Sequence, residues 1–88
     1  MLPKLVTLQL KMPTIKIIDS VKIDLYSSEH PPPHFHVIYA NFEALITIRN
    51  FEIYAGNLPK PQLYKAIKWA KDNQEMLMDN FKRLNPRL

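Results

Sequence analysis

His34-Phe35-His36-Val37-Ile38-Tyr39-Ala40-Asn41-Phe42-Glu43-Ala44-Leu45-Ile46-Thr47-Ile48-Arg49 decides the fold of this chain. His34 to Tyr39 and Glu43 to Arg49 read as two β-strands of a hairpin around Ala40-Asn41-Phe42. Side chains alternate across a strand, so His34 and His36 share one side while Phe35, Val37 and Tyr39 share the other. Phe35 and Val37 are the natural core face. That leaves the two histidines directed towards solvent or a shallow cleft.

The same period of two continues on both flanks. Upstream, Thr14 to Ile18 is apolar and β-branched, Asp19-Ser20 supplies a short turn, and Val21 to Tyr26 forms the next strand. Val21, Ile23 and Leu25 lie on one face of it, and Lys22, Asp24 and Tyr26 on the other. Ser27 to Pro33 is a loop stiffened by its prolines, which favour an extended, polyproline-like path into His34. Downstream, Phe51 to Ala55 is a further strand, closed by a turn at Gly56-Asn57. Gly56 is the one glycine of the chain and marks a sharp turn where a side chain would crowd the backbone.

From Lys60 the period changes to 3.6. Leu63, Ala66, Ile67, Ala70, Leu77, Phe81 and Leu84 line one stripe, opposite Lys65, Lys68, Asp72, Glu75, Asp79 and Lys82. Pro61 suits a first helical turn, and Asn57 or its neighbours can start the helix. The helix either runs to about Leu84 or bends near Asp72-Asn73. Its apolar stripe needs a sheet to cover. The expected fold is therefore α+β, a small and mainly antiparallel meander covered by a C-terminal helix or helix pair. Residues 1–11, with the strand-like Leu5-Val6-Thr7-Leu8-Gln9-Leu10, read as an N-terminal extension or edge strand set off by Pro13. Residues 12–88 read as a single domain.

The 88 residues suit one small core that buries about 60–65% of the unfolded surface, so an oligomer or partner adds useful stability. A hydrophobic content of 47% excludes a disordered chain. No apolar run is long enough for a membrane span, and the first residues lack a signal-peptide pattern. Cysteine is absent, which excludes disulfides and thiol catalysis and agrees with a cytoplasmic location. The net charge of +4 is compatible with a nucleic acid or an acidic protein as partner, although no arginine-rich block or glycine-rich loop is present.

All three histidines fall in His30 to His36, beside Glu29. Imidazoles titrate near neutral pH, bind metals and move protons. His30, His34 and His36 can supply three ligands of a zinc ion and leave one position for water, with Glu29 as a fourth ligand, an orienting acceptor or a base. The spacing lacks both paired cysteines and the helical His-Glu-x-x-His pattern. Without a metal, two of these histidines can shuttle protons in phosphodiester cleavage, with Lys22 or Arg49 on the phosphate and Tyr39, Tyr26 or Tyr54 stacking on bases. Tyr64, Trp69 and Met76 lie beside the main helix stripe and are candidates for a partner interface. Packing in the chain's own core is their simpler role. Glu43, Glu52 and Asp24 read as charges on strand surfaces.

The segment Tyr26-Ser27-Ser28-Glu29-His30-Pro31-Pro32-Pro33-His34-Phe35-His36-Val37 resembles that of a small prokaryotic family, domain of unknown function 4160. The similarity continues through Glu43-Ala44, Ile46, Gly56-Asn57-Leu58-Pro59 and the helical residues from Leu63 to Leu84. It begins at Met12-Pro13-Thr14, so residues 1–11 resemble an extension or an upstream start. Pro31 departs from the more polar residue common at that position. The resemblance implies no settled activity. It implies a toxin–antitoxin-associated setting, a small protein partner and nucleic-acid regulation, and it makes Glu29, His30, His34 and His36 a recurrent motif to which it assigns no role, so that they stand as catalytic candidates on their chemistry alone.

Three functions follow as expectations. The first is a small binding or regulatory module associated with a toxin–antitoxin system, acting with a small protein partner or as a homo-oligomer. The second is a nucleic-acid hydrolase using the histidines for metal binding or proton transfer. The third is a structural domain whose histidines only satisfy the loop.

Overall fold

A computed structural model describes residues 14–27 and 29–86. The strand expected at Leu5 to Leu10, and with it the extension at residues 1–11, lies outside the described residues. The order of elements is β1 (Thr14–Ile18), β2 (Val21–Asp24), β3 (His34–Tyr39), β4 (Phe42–Thr47), β5 (Ile53–Gly56), α1 (Lys60–Asp72) and α2 (Gln74–Leu84). The strands form one antiparallel meander in the order β1-β2-β3-β4-β5. The architecture is α+β, with the sheet followed by C-terminal helices, in agreement with the period change at Lys60.

Turn chemistry accounts for the meander. Asp19 and Ser20 both adopt positive φ, 48° and 70°, as a tight two-residue hairpin turn requires. Ala40-Asn41 is the second turn, and Phe42 belongs to β4 rather than to the loop. β5 begins at Ile53, two residues later than the reading of Phe51 to Ala55. The reason is local: Phe51 takes a left-handed φ of 60° and its N–H donates to the carbonyl of Thr47, which prolongs the turn. Gly56 has φ +76°, and a Cβ built there would sit 2.1 Å from the carbonyl oxygen of Glu43.

The core lies on one face of the sheet. Val21, Ile23, Phe35, Val37, Ala44 and Ile46 are fully buried there, against Ala66, Ala70 and Leu77. Phe81, 1% exposed, completes the helical side. Leu63, Ile67, Trp69, Met78 and Leu84 pack around this cluster. The helix breaks at Asn73, whose amide donates to the carbonyl of Trp69 and whose backbone N–H donates to that of Ala70. Pro59, not Asn57, occupies the N-cap of α1, and no side chain caps that helix. Leu58 is buried, so the chain is drawn into the core just ahead of the helix, and Pro59 and Pro61 set its first turn. Among the described residues no helix is long and apolar enough to cross a membrane.

Candidate metal site

The loop between β2 and β3 brings Glu29 to His34 and His36. One ligand atom from each of the three residues lies within 4.8 Å of the other two. His34 and His36 share a sheet face, as the alternation requires, but they are buried, at 3% and 9% exposure. The expectation that they point to solvent or a shallow cleft is corrected. The reason is tertiary: the loop brings Glu29 onto them, and Tyr26 and Tyr54 flank the rings. Tyr26 meets His36 edge-on with centroids 4.2 Å apart, and Tyr54 lies 5.5 Å from His34. His30 is exposed and is not one of the three residues that converge. The cluster therefore contains two histidines and one glutamate, not the three imidazoles His30, His34 and His36.

Every ring nitrogen of the two histidines has a partner. His34 Nδ1 lies 2.8 Å from the carbonyl oxygen of Pro32, and Nε2 lies 3.0 Å from Glu29 Oε1. His36 Nδ1 lies 2.9 Å from Glu43 Oε2, and Nε2 lies 2.5 Å from the same Glu29 Oε1. A carbonyl and an ionised carboxylate only accept hydrogen bonds. With the proton of each ring on Nδ1, His34 donates to Pro32 and His36 to Glu43. In neutral imidazoles both Nε2 atoms then present lone pairs, and they converge on an oxygen that also presents one. Protons on both Nε2 atoms would relieve that repulsion, and so would a bound cation.

The second arrangement is the one metal sites use. A ligating histidine commonly donates its other N–H to a carbonyl or carboxylate, which fixes the tautomer and the ring. Pro32 does this for His34 and Glu43 does it for His36. Two histidines and a glutamate are a ligand set that zinc accepts with a position left open. The cluster is thus capable of coordinating a metal ion.

Burial raises the affinity of the Glu29 carboxyl for its proton. Hydrogen bonds from His36 and His34, and the charge those rings carry when protonated, outweigh burial and hold the carboxyl below its ordinary range. Burial, followed by the charge and hydrogen bond of Asp24, pushes the Tyr26 phenol up to about 12. Tyr26 donates to Asp24 Oδ2 at 3.1 Å. Asp24 pairs with His36 across β2 and β3, and its other oxygen, Oδ1, is buried without a hydrogen-bond partner.

Glu29 is also held from behind. Its backbone N–H donates to Asn85 Oδ1 at 2.7 Å, and Asn85 Nδ2 donates to the carbonyls of Tyr26 and Phe81. One buried amide therefore ties the loop to the end of α2.

Sequence reading missed three of these residues. Asp24 and Glu43 were read as strand-surface charges. The signal for Glu43 was present, since a two-residue turn at Ala40-Asn41 pairs Ile38 with Glu43 and so places Glu43 on the face of His36. Asn85 gave no signal of its place at the site, because the partners that tie it there, Glu29 and Tyr26, are 56 and 59 residues away. The phosphate-site candidates do not gather. Lys22 lies 3.8 Å from Asp24, Tyr39 packs against the core from the other face of β3, and Arg49 sits in the β4–β5 turn. Of the interface candidates, Tyr64 is 69% exposed, whereas Trp69 packs against the core and Met76 is half-buried.

The family comparison matches residues 21–82 to the family described as Domain of unknown function (DUF4160). The chain belongs to that family. The match is narrower than the resemblance from Met12 onwards, but it spans the loop, the hairpin and most of both helices. Comparison with curated proteins and with solved structures gives no match.

Proposed function

We propose that the protein is a divalent-metal-binding module in which His34 Nε2, His36 Nε2 and Glu29 Oε1 hold a zinc-class ion. The carrying observation is that one possible ligand atom from each of the three residues converges while each Nδ1 has an acceptor of its own, Pro32 or Glu43. Such a ligand set leaves room for a water, and zinc lowers the pKa of bound water to about 7. Two histidines and a carboxylate also suit ferrous iron. Calorimetric titration with each metal, anaerobically for iron, ranks the two.

The expected result is one ion per chain. Affinity should fall more than about a hundredfold in His34→Ala and His36→Ala, since loss of an outer-shell partner alone costs 10–100-fold. Glu43→Gln should cost an intermediate amount, and His30→Ala should bind as the parent does. Binding of neither metal, or equal binding by the His34 and His30 variants, would refute the reading.

The toxin–antitoxin association, a cytoplasmic setting and a small protein partner are proposed as its biological context. The association and the partner are supported by the family resemblance and the setting by the cysteine-free sequence, and exposed Tyr64 is the residue offered for the partner surface.

A further inference from the structure

A second feature stands beside the metal cluster and holds none of its three converging residues. Pro32, Pro33, Thr47, Arg49, Glu52 and Tyr54 line a groove with a volume of roughly 420 Å³, within the range of small-ligand sites. Its floor is fixed. The N–H of Ile48 donates to the carbonyl of Pro33, Glu52 N–H donates to Thr47 Oγ1, and Gln74 Nε2 donates to the carbonyls of Ile48 and Arg49. Tyr54 is placed by a bulge. β4 and β5 pair Leu45 with Ala55 but Ile46 with Ile53, so Tyr54 is the extra residue. Its ring leans on His34 and remains 49% exposed. Arg49 is exposed, and among the described residues no carboxylate lies within 4.0 Å of its guanidinium.

We propose that this groove binds a nucleoside phosphate, with its base on the Tyr54 ring, its phosphate at Arg49 and its ribose hydroxyls donating to Glu52. Each part answers a chemical group of the ligand. An exposed ring on a braced backbone is a stacking platform for any base. A guanidinium is matched to phosphate oxygens, often by two parallel hydrogen bonds. The Glu52 carboxylate disfavours a bare anion in the groove and accepts from hydroxyls, which selects a nucleotide over inorganic phosphate. The net charge of +4 favours approach of such a ligand. The site adjoins the metal reading through Pro32 and Tyr54, which line the groove and also contact His34.

Amide-resolved NMR titration of the full chain tests the proposal, with adenosine 5′-monophosphate, adenosine, inorganic phosphate and a short oligoadenylate as separate probes. The monophosphate should shift amides from Thr47 to Tyr54 saturably, while adenosine and phosphate alone bind more weakly. Arg49→Ala and Tyr54→Ala should each weaken the monophosphate by about tenfold or more, with amide spectra otherwise unchanged. A gain of more than about tenfold for the oligomer assigns the unit to a strand, and equal affinity assigns it to free nucleotide. No saturable shift with either nucleotide probe, shifts confined to other surfaces, parental affinity in both variants, or phosphate binding as tightly as the monophosphate would each overturn the proposal. Zinc titration of the same samples keeps the two readings separate, because either can fail while the other holds.

Discussion

At the scale of single residues, Glu29 carries the most consequence. It is a half-buried carboxylate shared by two imidazoles, and its carboxyl is held below the ordinary range. A group whose native pKa is depressed stabilises the fold above its unfolded pKa, about 4.3 for glutamate, and loses that contribution as pH falls through the lower native value. Urea unfolding of the metal-free protein should therefore weaken below about pH 4.3, and Glu29→Gln should flatten that part of the profile. An unchanged profile in the variant would show that the carboxylate does not carry the linkage. Gly56 is the second decisive residue. Its positive φ, and the Glu43 carbonyl in the place of a Cβ, lead us to expect Gly56→Ala to cost about 2–4 kcal/mol in the same assay. Gly56 was readable as a turn, but the crowding carbonyl belongs to β4 and could not be named in advance.

Between elements, the connection from the β2–β3 loop to α2 runs through Asn85. This amide is buried, and it accepts from Glu29 and donates to Tyr26 and Phe81. Asn85→Ala should destabilise the protein by about 1–3 kcal/mol, since it leaves the part-buried Glu29 N–H and Tyr26 carbonyl without this partner. It should also weaken metal binding by about 10–100-fold, because Glu29 then loses its support. Denaturant unfolding and calorimetry on the same variant read the two effects separately. If stability fell while affinity held, the Asn85 clamp would be structural only. The elements themselves were largely legible. The alternation of Val21, Ile23 and Leu25, the His34 to Tyr39 strand and the stripe through Ala66, Ala70, Leu77 and Phe81 all describe the observed core. Boundaries slipped where backbone hydrogen bonding overrode pattern, as at Phe51 and at the Pro59 cap.

For the whole molecule, the core is small, so a ligand that binds only the folded state changes stability measurably. Free zinc at one hundred times its dissociation constant should add about 2.7 kcal/mol, or roughly 10 °C or more in Tm for a domain of this size. The rise should vanish with chelator and in His34→Ala. A rise that survived in that variant would place the metal elsewhere. Periodicity and turn residues alone determined the meander, the buried face and the helical cover, because local backbone preference and the burial of apolar side chains act through spacing along the chain. They also put His34 and His36 on one side of a strand. Only the tertiary structure decided that Glu29 joins them while His30 stays exposed. That choice depends on where the proline loop folds and on an amide more than fifty residues away, and the energies of such distant hydrogen bonds leave no mark on local sequence pattern.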